Sequence, residues 1–380
     1  MNGAALPLTL YRIEETASVD AFSLPSIFDG KLRLYQEWHD FVFFDHTRRI
    51  FGLLNFGVHG NPYDSKRGWG SVLSYIVNPQ EKIFTEIKLI PMDKLEVSSF
   101  SPNFISKTCE VTFLKDYSFE VQGHMEKVEF DLNFRVAEPP VSNKDIFLEI
   151  MRQQEPNVKM MLAAREMSRQ WDSWVELPRL IVKGKLKLGN ETYQIETSQG
   201  YQDHEGCSFD ISTTWGWDTG VVLCDPSAAL EPRRVDFLFY RYGPTSSSSY
   251  GGIFFETKKG EKVFFDSENT MIDMNGNYKG SLNIMPGITK LLYPDYHPKI
   301  SKETTLTSAK GTDSLEITFT PKAVCCIVNT SLLTDSEVVF NEMFCDAHLH
   351  SEIAGNKYDC IIPSWFESVR PRKRGGQLCI

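Results

Sequence analysis

The sequence predicts an all-β protein with two barrel- or sandwich-like domains joined by a short helical connector. Three observations carry this reading. Apolar residues alternate with a period of two through most of the chain, turn-formers separate the alternating runs, and one central stretch loses the alternation. A length of 380 residues suits two domains.

Between Lys127 and Val136, residues Val128, Phe130, Leu132, Phe134 and Val136 share one face, and Glu129, Asp131 and Arg135 take the other. That is the pattern of a half-buried strand. Leu32 to Phe44, Ile50 to Val58, Ser71 to Val77, Lys82 to Ile90 and Cys109 to Leu114 read the same way. Breaks such as Gly60-Asn61-Pro62 and Ser101-Pro102-Asn103 lie between them. Alternation returns in Leu180 to Leu188, Val235 to Tyr242, Gly252 to Glu256, Lys262 to Asp266, Leu315 to Phe319 and Val338 to Phe344. The stretch Asp145 to Trp174 is instead rich in Met, Leu, Glu, Gln and Arg, which predicts helical pieces split at Pro156. Pro139-Pro140 and Pro178 flank it, so the expected division is 1–140, a connector 141–178, and 179–380.

Composition narrows the function. Hydrophobic residues make up 41%, charged residues 24% and aromatics 12%. Aromatics at this level suit pleated surfaces and also the walls of apolar ligand sites. A net charge of -10 argues against non-specific nucleic-acid binding. The basic run Arg370, Arg372, Lys373 and Arg374 reads as a solvated tail. No leader pattern and no apolar run long enough to span a bilayer is evident, so a soluble chain without stable membrane insertion is expected. None of the eight cysteines is paired at zinc-knuckle or redox-motif spacing. Several sit in apolar runs as buried free thiols do, which points to a reducing, cytoplasmic setting.

Three clusters carry side chains able to do chemistry. Gly200-Tyr201-Gln202-Asp203-His204-Glu205-Gly206 offers two carboxylates and an imidazole, followed by Trp215-Gly216-Trp217-Asp218. On a strand, Asp203 and Glu205 face one way and His204 the other. In Glu37-Trp38-His39-Asp40, residues Glu37, His39 and Phe41 share a face opposite Trp38, which allows an acid/base pair on one surface. Asp346, His348 and His350 project together from a strand and form a possible Zn or Fe(II) set, although no second ligand cluster accompanies them. Phosphate-binding and dinucleotide-binding glycine loops and a nucleophile elbow are absent.

At Gly200, Tyr201, Asp203, His204 and Gly206, then Trp215 and Trp217, the chain resembles the lipocalin-like superfamily of carotenoid 1,2-hydratases (hydroxyneurosporene synthases), AttH proteins and fungal decalin-forming Diels–Alderases. Glu37-Trp38-His39-Asp40-Phe41 partly echoes the family's opening Glu-Trp-Trp-Tyr-Phe. Glu205 stands where the family has Asn-Trp, and Tyr240-Arg241-Tyr242 lacks the aspartate of the hydratases' Tyr-x-Asp. The resemblance implies two lipocalin-like domains enclosing an apolar terpenoid, polyene or polyketide-like molecule, with no organic cofactor.

The expected function is a cofactor-free cyclase or isomerase of secondary metabolism. Its catalytic candidates are Asp203, His204, Glu205, Glu37 and His39, and its substrate-binding candidates are Trp38, Tyr201, Trp215, Trp217, Tyr240 and Tyr242. Aromatic faces would fold a flexible substrate and stabilise developing positive charge, and the imidazole and carboxylates would move a proton or polarise a carbonyl. A non-catalytic isoprenoid or lipid binder, a hydratase of an isoprenoid alkene, and a metal enzyme centred on Asp346, His348 and His350 are the alternatives.

Overall fold

A computed structural model describes residues 11–26, 30, 32–142, 171–208, 210–211, 215–225, 227–241, 249–285, 298–330 and 336–373. The chain divides into an N-terminal unit of Leu6–Gln80 and Phe84–Phe209 and a C-terminal unit that is chiefly Asp210–Ile380. Nearly every element is a strand, as the period-two pattern predicts. Among the described residues no helix is long and apolar enough to cross a membrane.

In the N-terminal unit the strands are β1 (Gln36–Asp45), β2 (Ile50–Gly60), β3 (Gly68–Val77), β4 (Ile83–Pro91), β5 (Leu95–Ser98), β6 (Ser101–Ser106), β7 (Cys109–Phe113), β8 (Ser118–His124), β9 (Val128–Val136), β10 (Val141–Ser142), β11 (Trp171–Leu188) and β12 (Glu191–Cys207). They form one sheet in the order β4-β3-β2-β1-β12-β11-β9-β8-β7-β6-β5, with β10 on β11. The sheet curls on itself: Phe56 of β2 meets Phe104 of β6, far along that order, with ring centroids 5.5 Å apart. Its concave face holds one core cluster, including Phe41, Phe43, Leu54, Phe56, Phe119, Phe134, Leu177 and Leu180. Each such ring or branched chain contributes about 1.5–3 kcal/mol by burial. Gly184 allows a bulge in β11. Its φ is +139°, and a Cβ there would meet the Asp131 carbonyl oxygen at 2.1 Å.

The C-terminal unit contains β13 (Trp217–Val222), β14 (Arg234–Arg241), β15 (Ser249–Glu256), β16 (Lys262–Asp266), β17 (Thr270–Asn275), β18 (Ser281–Met285), β19 (Glu303–Lys310), β20 (Asp313–Thr330), β21 (Ser336–Ile353) and β22 (Asn356–Lys373). Their order is β16-β15-β14-β13-β22-β21-β20-β19-β17, with β18 parallel to β20. Here too distant strands meet, since Phe237 of β14 lies 5.2 Å from Phe319 of β20.

Two sequence expectations are corrected. Trp171–Trp174, placed in the helical connector, begins β11, and 143–170 lies outside the described residues. The sequence division places the rest of β11, from Arg179, and all of β12 in the second domain, but these strands complete the first sheet by pairing with β9 and β1. The reason is burial: Leu177, Leu180, Val182, Leu186, Leu188 and Ile195 supply apolar side chains to the N-terminal core.

Candidate functional site

The two motifs that looked separate are cross-strand neighbours. In the β1–β12 pairing, Glu37 lies opposite Gly206, Trp38 opposite Glu205, His39 opposite His204 and Asp40 opposite Asp203. Alternation sends Glu37 and His39 of β1, and Gln202 and His204 of β12, to the concave face beside Phe41. All four are buried. Asp20 joins them from the N-terminal segment, where the one-turn helix α1 (Thr16–Val19) ends and the Asp20 N–H bonds to the Thr16 carbonyl at 2.9 Å.

His204 lies between two carboxylates. Its Nδ1–H donates to Asp20 Oδ1 at 3.1 Å and its Nε2–H to Glu37 Oε1 at 2.7 Å. Burial by itself would lower the imidazole's pKa, but the hydrogen bonds and negative charge of Asp20 and Glu37 outweigh it and raise the value to about 10. His204 is therefore a fixed imidazolium at neutral pH. Glu37 is held further by the Ser23 N–H, at 2.7 and 2.8 Å from its two oxygens, and by the Tyr35 hydroxyl. Burial raises the Asp20 carboxyl, while its bonds from His204 and Gln202 pull the other way.

His39 stacks on His204 with centroids 3.8 Å apart and planes 16° from parallel. Burial, followed by the adjacent imidazolium charge, holds its pKa well below the usual histidine value, so His39 is neutral. The Gln202 amide donates to His39 Nδ1 at 2.8 Å and to Asp20 Oδ1 at 3.0 Å. His39 Nε2 and Gln202 Oε1 are buried without hydrogen-bond partners. Phe22 packs 4.7 Å from the His39 ring, and Phe41 lies 6.5 Å away.

Asp203, Glu205, Trp38 and Tyr201 occupy the opposite, also buried, face of these strands. Asp203 and Glu205 thus face away from His204, as alternation along the strand predicts. On that face Asn55, Asp40, Asp203 and Glu176 form a row across β2, β1, β12 and β11. Burial raises Asp40 to about 7, against the pull of a 2.8 Å hydrogen bond from Asn55. Burial and the charges of Glu176 and Asp40 push Asp203 well above the ordinary carboxylate range.

The remaining aromatic candidates belong to the C-terminal unit or the segment leading to it. Trp217 and Tyr240 are opposite each other on β13 and β14, both buried, and Trp217 Nε1–H donates to Glu367 at 2.7 Å. Trp215 is 40% exposed, and Tyr242 lies outside the described residues. Sequence reasoning missed Asp20, Tyr35 and Gln202 as site residues. Period two counted back from His204 finds Gln202, but nothing local marks Asp20, which is 184 positions from its partner.

Neither metal arrangement holds. Atoms of Asp20, His39 and His204 lie within 4.8 Å of one another. However, the ring planes lie nearly parallel, both His204 nitrogens already donate to carboxylates, and the Gln202 N–H occupies His39 Nδ1. Asp346 is paired with Lys322 at 2.9 Å, and the exposed His348 with Asp359 at 3.0 Å. Those residues form a solvated strand face, with His350 also exposed.

No family model matches the chain, and no curated protein matches it in sequence. Solved structures do match in fold. An AttH-like protein from Nitrosomonas europaea superposes with a TM-score of 0.55 at 11% identity, covering 92% of this chain and 96% of its own. Kievitone hydratase from Nectria haematococca gives 0.54 at 9%, covering 96% and 94%. CghA, solved with Sch210972, gives 0.56 at 8%, covering 97% and 99%. The chain has the fold of these proteins. AttH proteins are among those the sequence resemblance named.

Proposed function

We propose that the chain is an enzyme without an organic cofactor, which binds a small, largely apolar molecule inside the N-terminal unit and promotes its cyclisation or another isomerisation. The observation that carries this reading is the buried, unpartnered Nε2 of a neutral His39, set among Phe22 and Phe41 and backed by the His204 imidazolium. Buried polar groups are normally hydrogen-bonded, so an orphan at a strand centre is an atom in this core with hydrogen-bonding capacity left for a ligand. A fixed donor aimed at an oxygen that gains negative charge lowers a barrier by about 2.7–4 kcal/mol, and holding a flexible chain in its reactive shape adds several more. The fixed charge of His204, stacked behind His39, strengthens that donor.

The neighbours support a small-molecule role. One is kievitone hydratase, and another was solved with Sch210972. In this reading His39 touches the substrate, His204 and Glu37 supply and hold the charge behind it, and Asp203 and Glu205 take no part in that contact.

The test is incubation of the full-length protein with linear polyenyl ketones, with products followed by mass and NMR. The expected result is an isomer of unchanged mass, formed at least about 100-fold more slowly by His39→Phe. A product heavier by one water would replace the isomerase reading with hydration. Reversible binding with no product would replace it with a carrier role.

A further inference from the structure

We infer that Gln202 is a positioning residue that fixes the tautomer of His39, so that Nε2 of His39 is always a hydrogen-bond donor. The inference deepens the proposed function and rests on it for its catalytic meaning, but its structural content stands by itself. An amide nitrogen carries two hydrogens, and here both have destinations. One goes to Asp20, at 3.0 Å from Oδ1 and 3.3 Å from Oδ2, and the other to His39 Nδ1 at 2.8 Å. Turning the amide over would set Gln202 Oε1 against the carboxylate of Asp20, which already accepts from the His204 imidazolium. The nitrogen therefore faces Asp20, His39 Nδ1 is a lone pair, and the ring's single proton sits on Nε2.

The neighbouring groups explain why this residue must be an amide. His39 Nδ1 is 3.7 Å from Asp20 Oδ2, close enough that the carboxylate would take an Nδ1–H if nothing intervened. The protein would then present a bare Nε2 lone pair, a base instead of a donor. Gln202 holds the two apart and reverses the polarity of the ring toward the interior. A ligand at Nε2 must then offer an acceptor such as a carbonyl oxygen. A protonated amine would meet a donor backed by the His204 cation and be excluded.

The experiment uses the full-length chain labelled with 15N-histidine, and long-range 1H–15N spectra that separate the two neutral tautomers and the imidazolium. His39 is assigned by loss of its signals in His39→Gln. In the unmodified protein His39 is expected as the Nε2–H tautomer between pH 6 and 8, values chosen around neutrality. In Gln202→Glu, and in Gln202→Met should the first variant fail to fold, the proton is expected to move to Nδ1. An Nδ1–H or charged His39 in the unmodified protein overturns the inference, and so does an unmoved tautomer in a folded Gln202 variant. Adding benzalacetone, an apolar enone, tests the ligand reading separately. If its Nε2 signal fails to shift while the tautomer results hold, the ligand reading falls and the positioning role stays.

Discussion

The charge on His204 gives the sharpest energetic prediction. Its pKa rises from 6.5 to about 10, and at about 1.4 kcal/mol per unit that is about 5 kcal/mol of preference for the charged form in the fold. A histidine with a raised folded pKa stabilises the protein fully below about pH 6.5, and the contribution fades as pH climbs through 10. Replacing Glu37 by Gln keeps the size of the side chain and an oxygen for the Ser23 N–H, but removes one of the two charges. Burial then dominates and His204 sheds its proton. We expect Glu37→Gln to lose about 3–5 kcal/mol at pH 6, as breaking a buried pair does, and the gap to close toward pH 10. For a unit of about 200 residues this is roughly a 10 °C drop in Tm at pH 6. The assay is urea unfolding by circular dichroism from pH 6 to pH 10, values that bracket the two pKa limits above. A loss below about 1 kcal/mol at pH 6, or a gap that stays constant with pH, would refute the charged-histidine account.

Three more outcomes follow from other parts of the molecule. Asp40 has its pKa raised to about 7, so it destabilises increasingly as pH rises from about 4 to 7, because the unfolded carboxyl ionises first. Asp40→Asn should therefore raise the thermal midpoint at pH 8 and change it little at pH 4, read by scanning fluorimetry. Phe41 packs 5.1 Å from Phe134 and 5.3 Å from Phe119, so Phe41→Ala should cost about 3–5 kcal/mol in denaturant titration. His348→Ala breaks only an exposed pair with Asp359 and should shift stability by no more than about 0.5 kcal/mol, with added zinc leaving the midpoint unchanged. A zinc-dependent rise abolished by that variant would restore the metal reading.

The strand character of many runs, and the faces within them, were legible because a strand repeats every two residues. Alternation alone placed Glu37, His39 and Phe41 on one side and divided Asp203 and Glu205 from His204. It also located β9 and most of β2, β3 and β14 within a residue or a few. Pairing between strands far apart in the chain was not legible. Whether β12 closes the first sheet or opens the second depends on which sheet edge it meets, and hydrogen bonds between backbones carry no sequence label. That single pairing set His39 on His204, and the N-terminal segment laid Asp20 within 3.1 Å of a residue 184 positions away. Protonation states followed only then, since they depend on burial and on what lies beside each group in space. The sequence by itself determined which side chains share a face, and tertiary structure decided which faces meet.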